Sequence, residues 1–250
     1  MPLHGLKIVL MVLILLSPIC LNAETFYVQN FESNEKGILG GEELNGQTIE
    51  ISTTQASTGI YSLKIGMDRA DAYVNARVTF EQGDNMGDEW YARVRFFVDS
   101  TVTSTMGDGE NWQILAGENS EWSGEWALEI KKNASGNFLS IAWDSTDTSE
   151  YADSTEGVWN NEAWNTVEIH FIRSETVGAV TVWCNGVQVI NETGKDTGAK
   201  NTMSFYFCYY GTSDFTGNIY FDDLVIDSSN YIGTGYRIQE GVAVGSCPYF

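Results

Sequence analysis

The sequence predicts an all-β protein, a two-sheet antiparallel sandwich. Three observations predict it. Short segments alternate apolar and polar residues with a period of two, which sets one face of a strand against a core. Turn residues recur roughly every 8–12 positions, the spacing of sandwiches and barrels. No stretch carries a convincing helical pattern. The segment Trp164–Val189 shows this grammar most clearly. Val167, Ile169 and Phe171 share one face, and Glu168, His170 and Ile172 share the other. Ala179–Trp183 is a second β-branched run, closed by Asn185-Gly186. Asn-Gly between apolar runs marks a hairpin, because both residues tolerate positive φ.

Taken in order, Phe26–Phe31 reads as a first strand and Gly37–Gly46 as a loop. Thr48–Ser52 alternates, and Ser57–Ile65 is a glycine turn feeding another strand. Ala72–Phe80 alternates again. In Trp90–Val98, the longest clean strand, Ala92, Val94 and Phe96 form the core face and Tyr91, Arg93, Arg95 and Phe97 the other. Ser100–Asn111 reads as a polar loop. Trp112–Ala116, Trp126–Lys131 and Phe138–Trp143 are strands, the last two joined through Lys132–Asn137. Asp144–Asn161 is a long acidic loop, and loops of that length often bind something. Asn191–Asn201 is a polar loop, Ser204–Tyr209 an aromatic strand and Gly217–Asp227 the final strong strand. The domain is expected over 24–227, with 228–250 a tail packed on it or trailing it.

Residues 1–23 read as a secretory signal peptide. His4 and Lys7 precede the apolar run Ile8–Leu16, and Ala23 supplies a small residue at the cut. Secretion or a periplasmic location is the expectation. No later run is long enough for membrane insertion. Thirty-four acidic against 13 basic residues give a net charge of −21. That excludes nucleic acid as a natural partner and weighs against polyanionic glycans. Beyond the leader three cysteines remain, Cys184, Cys208 and Cys247, enough for one bridge and a spare thiol, with the pairing left open. Asn133-Ala134-Ser135 and Asn191-Glu192-Thr193 are glycosylation sequons. No pattern speaks to oligomeric state.

Four blocks, in order, resemble the concanavalin A-like lectin/glucanase superfamily in its laminin-G-like and polysaccharide-lyase-like branches. They are Asn30-Phe31-Glu32-Ser33, Ser57-Thr58-Gly59-Ile60-Tyr61-Ser62-Leu63, Trp164–Glu168 with Val182–Gly186, and Ile219–Ile226. The resemblance implies a jelly roll with a glycan-holding concave sheet. It also implies a structural calcium tying the first strand to the last, at Glu32 and Asp222 with carbonyls near Gly59; calcium takes hard oxygen ligands.

If the strands carrying Arg93 and Arg95, Glu129 and Lys131, and Glu168 and His170 share one sheet, their polar side chains converge in that cleft. Arg93 and Arg95 would meet a uronate carboxylate, His170 would act as acid or base, and Tyr91 would donate a proton. The motifs of alginate-lyase-type enzymes are incomplete here: Tyr91–Arg95 lacks an acidic centre, Glu168-Ile169-His170 has Glu in place of Gln, and no Tyr-Phe-Lys block exists. The Glu-x-Asp-x-x-Glu strand of retaining glucanases is also absent. Trp122, Trp143 and Trp159 flank or occupy loops, where an indole can stack on a sugar ring. The reading is a secreted, non-catalytic glycan-binding or adhesion module, with Glu129, Lys131, Glu168 and the three indoles as glycan contacts. The alternatives are a polysaccharide lyase acting by β-elimination on a uronate-containing glycan and a purely structural surface protein.

Overall fold

The computed structural model describes residues 25–34, 40–43, 48–67, 77–81, 87–119, 124–146, 148–199, 202–207, 216–228 and 231–233. The described strands are β1 (Thr25–Gln29), β2 (Gly40–Glu43), β3 (Thr48–Ser52), β4 (Ser62–Met67), β5 (Arg77–Glu81), β6 (Glu89–Val98), β7 (Asn111–Asn119), β8 (Gly124–Asn133), β9 (Gly136–Asp144), β10 (Ser149–Asp153), β11 (Trp164–Ile172), β12 (Gly178–Cys184), β13 (Val187–Lys195), β14 (Thr202–Phe207) and β15 (Gly217–Asp227). They form two antiparallel sheets. The first runs β13-β12-β11-β6-β15-β4-β3, with β1 also paired to β15; the second runs β10-β9-β8-β7-β14-β5-β2.

The period-two pattern explains how the sheets meet. Trp90, Ala92, Val94, Phe96 and Val98 of β6 and Val167, Ile169 and Phe171 of β11 are buried in one core with Trp112, Leu128, Ile130, Leu139 and Ile141 of the second sheet. Aromatic rings span the two layers. Trp90 stacks on Phe171, centroids 5.2 Å apart and planes 8° apart, and meets Trp126 at 5.0 Å and Phe205 at 5.4 Å. Asn185 and Gly186 have φ of 52° and 81°, the backbone the hairpin between β12 and β13 requires.

Three expected loops hold more structure than their sequences suggest. β2 lies inside Gly37–Gly46, β10 inside Asp144–Asn161, and β13 runs on to Lys195. All three strands end a sheet order. An edge strand is held by backbone bonds on one side and needs little apolar alternation. Ser100–Asn111 opens with a short helix, α1 (Ser100–Thr105), capped where Asp99 accepts from the Val102 N–H at 3.1 Å and anchored by buried Val102. The leader 1–23 and most of the tail 228–250 lie outside the described residues, as do Cys208 and Cys247. Cys184 is a buried thiol, pushed up to about 12 by desolvation. No helix among the described residues is long and apolar enough to cross a membrane.

Candidate functional site

The expected site residues divide between the outer faces of the two sheets. Tyr91, Arg93 and Arg95 of β6 and Glu168 and His170 of β11 do share a face, because β6 and β11 are neighbours, with Arg93 across from Glu168 and Tyr91 across from His170. Glu129 and Lys131 lie on β8, in the other sheet. The seven groups therefore do not converge on one cleft.

On the first sheet these side chains are engaged by the chain itself. Arg93 is fully buried, and its Nη1 donates to the Gly233 carbonyl at 2.8 Å. The Glu168 carboxylate accepts the N–H groups of Ile232 at 2.6 Å and Gly233 at 2.9 Å. Tyr231 rests on Trp183, ring centroids 5.0 Å apart. Residues 231–233 thus lie across this face, clasped by an arginine and a glutamate of adjacent strands. Burial pushes the Glu168 carboxyl up, against the opposing pull of the two N–H donors and Arg93. His170 stacks on Tyr91, centroids 4.1 Å apart, with its Nε2 2.8 Å from Glu89 Oε1. Arg95 donates to Ser57 Oγ at 2.7 Å and lies 3.4 Å from Asp223.

Glu32 and Asp222 flank one loop. Glu32 accepts the N–H groups of Ile60 and Tyr61 at 2.9–3.0 Å, lodged against Gly59, where a Cβ would lie 2.1 Å from the Glu32 carboxyl carbon and where φ is +63°, so that both space and backbone favour glycine. Asp222 accepts from Ser57 N at 2.9 Å and Thr58 N at 3.1 Å. Asp223, φ +49°, sits in the bulge of β15 against β6. Both aspartates are buried, and desolvation and then Asp223 push Asp222 up to about 7. Adjacent buried carboxylates suit a hard cation, although Arg95 Nε already lies 3.4 Å from Asp223 Oδ2 and offsets part of their charge. Glu32, by contrast, is occupied by the loop. No group of three or more His, Cys, Asp or Glu side chains able to hold a metal occurs among the described residues, so calcium here would depend on the two aspartates and on backbone carbonyls.

Trp143 and Trp159, expected as sugar platforms, are buried. Trp143 donates to the Asp196 carbonyl at 3.1 Å, and Trp159 to that of Phe138 at 3.4 Å while packing edge-on to Phe96. They anchor loops to the core and present no ring to a ligand. Trp122 lies outside the described residues.

The outer face of the second sheet is ordered by register into rows. Tyr206, Ala116, Ala127, Ala142 and Tyr151 stand side by side across β14, β7, β8, β9 and β10. Beside them run Gln113, Glu129, Ser140 and Asp153, and beyond those Asn111, Lys131 and Phe138. The alanines make a low floor with a tyrosine at each end. Tyr206 is buried with Ala116 and Ala127 in a cluster apart from the main core, and its hydroxyl donates to Glu118. The β14 end is therefore covered. Tyr151, at the β10 end, is 71 % exposed.

In the polar row, Glu129 accepts from Asn111 at 2.9 Å and Gln113 at 3.4 Å, and pairs with Lys131 at 3.3 Å. Lys131 Nζ lies 5.8 Å from the Tyr151 ring centroid. Ser140 Oγ is fully buried without a hydrogen-bond partner, and Gln113 Oε1 also lacks one. At the bulge between β7 and β8, buried Glu125 accepts from Thr202, and desolvation pushes it up to about 7. Sequence reasoning found Glu129 and Lys131 on this face but missed Gln113, Ser140, Tyr151 and Tyr206. Gln113 between Trp112 and Ile114 was a usable signal; the alanine floor appears only once register is known.

No protein-family model matches the sequence, and no curated protein sequence matches it. The fold does match solved structures. An endo-beta-1,4-glucuronan lyase from the fungus Trichoderma reesei aligns with a TM-score of 0.63 at 10 % identity, covering 82 % of this chain and 96 % of that one. The cellulose induced protein Cip1 aligns with a TM-score of 0.57 at 16 % identity, covering 84 % and 100 %. The receptor binding domain of botulinum neurotoxin type G aligns with a TM-score of 0.54 at 13 % identity, over 82 % of this chain and 47 % of that one. With its two stacked antiparallel sheets, the chain is a jelly-roll β-sandwich of the concanavalin A-like fold.

Proposed function

We propose that this protein is a secreted or periplasmic glycan-binding module whose ligand lies along the outer face of the second sheet. One observation carries the reading: Tyr151, 71 % exposed, stands across from part-exposed Ala142, with exposed Asp153 on the next row of the same face. A flat exposed ring beside a small residue suits the apolar CH face of a sugar, and the adjoining carboxylate row suits its hydroxyls. The fold neighbours support it, since one is a glucuronan lyase and another a toxin receptor binding domain. The test is a binding panel of neutral and acidic polysaccharides with wild type and Tyr151→Ala. Binding that weakens in the variant supports the reading; no binding to any glycan overturns it.

The glucuronan lyase neighbour, aligned over nearly its whole length, supports a second reading, β-elimination. Following absorbance near 235 nm, roughly where the unsaturated product absorbs, tests it on the same panel. A calcium at Asp222 and Asp223 would serve structure in either reading, tying β15 to the loop at Ser57.

A further inference from the structure

Resting on the glycan-binding reading, we infer that this face selects an uncharged polysaccharide and rejects polyuronates. The charge on the face carries the argument. Glu129 and Asp153 stand on either side of Ser140 in one row, with Glu118 beyond the alanine floor. Among the described side chains of this face Lys131 is the one cation, and Glu129 already holds it at 3.3 Å. A uronate carboxylate therefore meets surplus negative charge and no free counter-charge, within a molecule of net charge −21. Each like-charge contact weakens binding by about fivefold at low salt. Sugar hydroxyls meet the opposite situation. Exposed Asp153 offers spare lone pairs to hydroxyl donors beside the Glu129 carboxylate, and the row holds Ser140 Oγ, buried and unpartnered between the two acids. Tyr151 adds stacking that is indifferent to charge.

The experiment compares the full chain with a neutral β-glucan, a polygalacturonate of matched length and a chitosan, at low salt and at about 0.5 M salt. The neutral glucan is expected to bind with affinity unchanged within about twofold between the two salts, and the polygalacturonate not to bind at low salt. The variant Glu129→Gln/Asp153→Asn, two near-isosteric changes checked for wild-type thermal stability, is expected to raise the affinity for polygalacturonate relative to that for the glucan at least fivefold over wild type. Polygalacturonate bound more tightly than the glucan by wild type overturns the inference and leaves the glycan-binding reading standing. So does chitosan bound most tightly with a steep salt dependence, which would make the acids cation receptors. No binding of any of the three overturns both.

Discussion

Tyr151 stands directly across the ladder from Ala142, two residues along from the rung that pairs Asp153 with Ser140. A five-residue edge strand thus places an aromatic platform and an acid on successive rows of the same face. If that platform holds a sugar, Tyr151→Ala should weaken binding by roughly threefold to tenfold, the worth of one aromatic contact. Because the ring is 71 % exposed, the melting temperature should hardly move. Calorimetric titration alongside a thermal melt checks both.

The clasp on the first sheet makes a separate prediction. Glu168→Ala removes a carboxylate that faces buried Arg93 across the ladder and frees two N–H groups at Ile232 and Gly233. Hydrogen bonds to a charged group are worth about 1.5–3 kcal/mol each. Stability should fall by that order, and hydrogen exchange at 231–233 should accelerate. Wild-type protection there in the variant would show that other contacts hold the segment.

The aromatic bridge between the sheets should be the costliest point to cut. Trp90 touches Phe171 in its own sheet and Trp126 and Phe205 in the opposite one. Trp90→Ala should destabilise the fold by about 3–5 kcal/mol, read as a lower urea midpoint with an unchanged slope.

Asp222 and Glu125 set the pH dependence. Both carboxyls are raised in the folded state, to about 7 from ordinary values of 3.8 and 4.5. The folded state then holds these protons more tightly than the unfolded chain. The stability they contribute is fully present below pH 4 and is lost as pH rises through about 7. In a chelator, urea unfolding should show the protein more stable at pH 5 than at pH 8, by of order 2 kcal/mol after solvent screening. Asp222→Asn should flatten part of that slope, which the general repulsion of an acidic chain would not. Calcium binding the ionised aspartates would recover stability at pH 8. A calcium-insensitive protein at pH 8 would remove the metal from the account.

Much of the fold was legible because it is written locally. The alternation in Trp90–Val98 and Trp164–Ile172, the Asn185-Gly186 hairpin and the strand Gly217–Asp227 all stand where the pattern put them. The edge strands β2 and β10 were not legible, since backbone pairing rather than an apolar face defines them. The site was legible only in part. Arg93 and Glu168 were correctly placed on one face, but a sequence cannot show that 231–233 crosses it. Trp143 and Trp159 sit at strand ends and in loops, where burial depends on tertiary contacts. The alanine floor is invisible in one dimension, because Ala116, Ala127 and Ala142 come together through register alone.

The central claim is that the outer face of the second sheet, and not the clasped face of the first, holds the ligand. The most direct measurement is binding of the best polysaccharide from the panel to paired variants, Tyr151→Ala on one face and His170→Ala on the other, with absorbance near 235 nm, roughly the lyase signature, followed throughout. The account predicts binding weakened roughly threefold to tenfold in the first variant, wild-type binding in the second, and flat absorbance in both. Rising absorbance that vanishes with His170→Ala would contradict it and move the function to the first sheet.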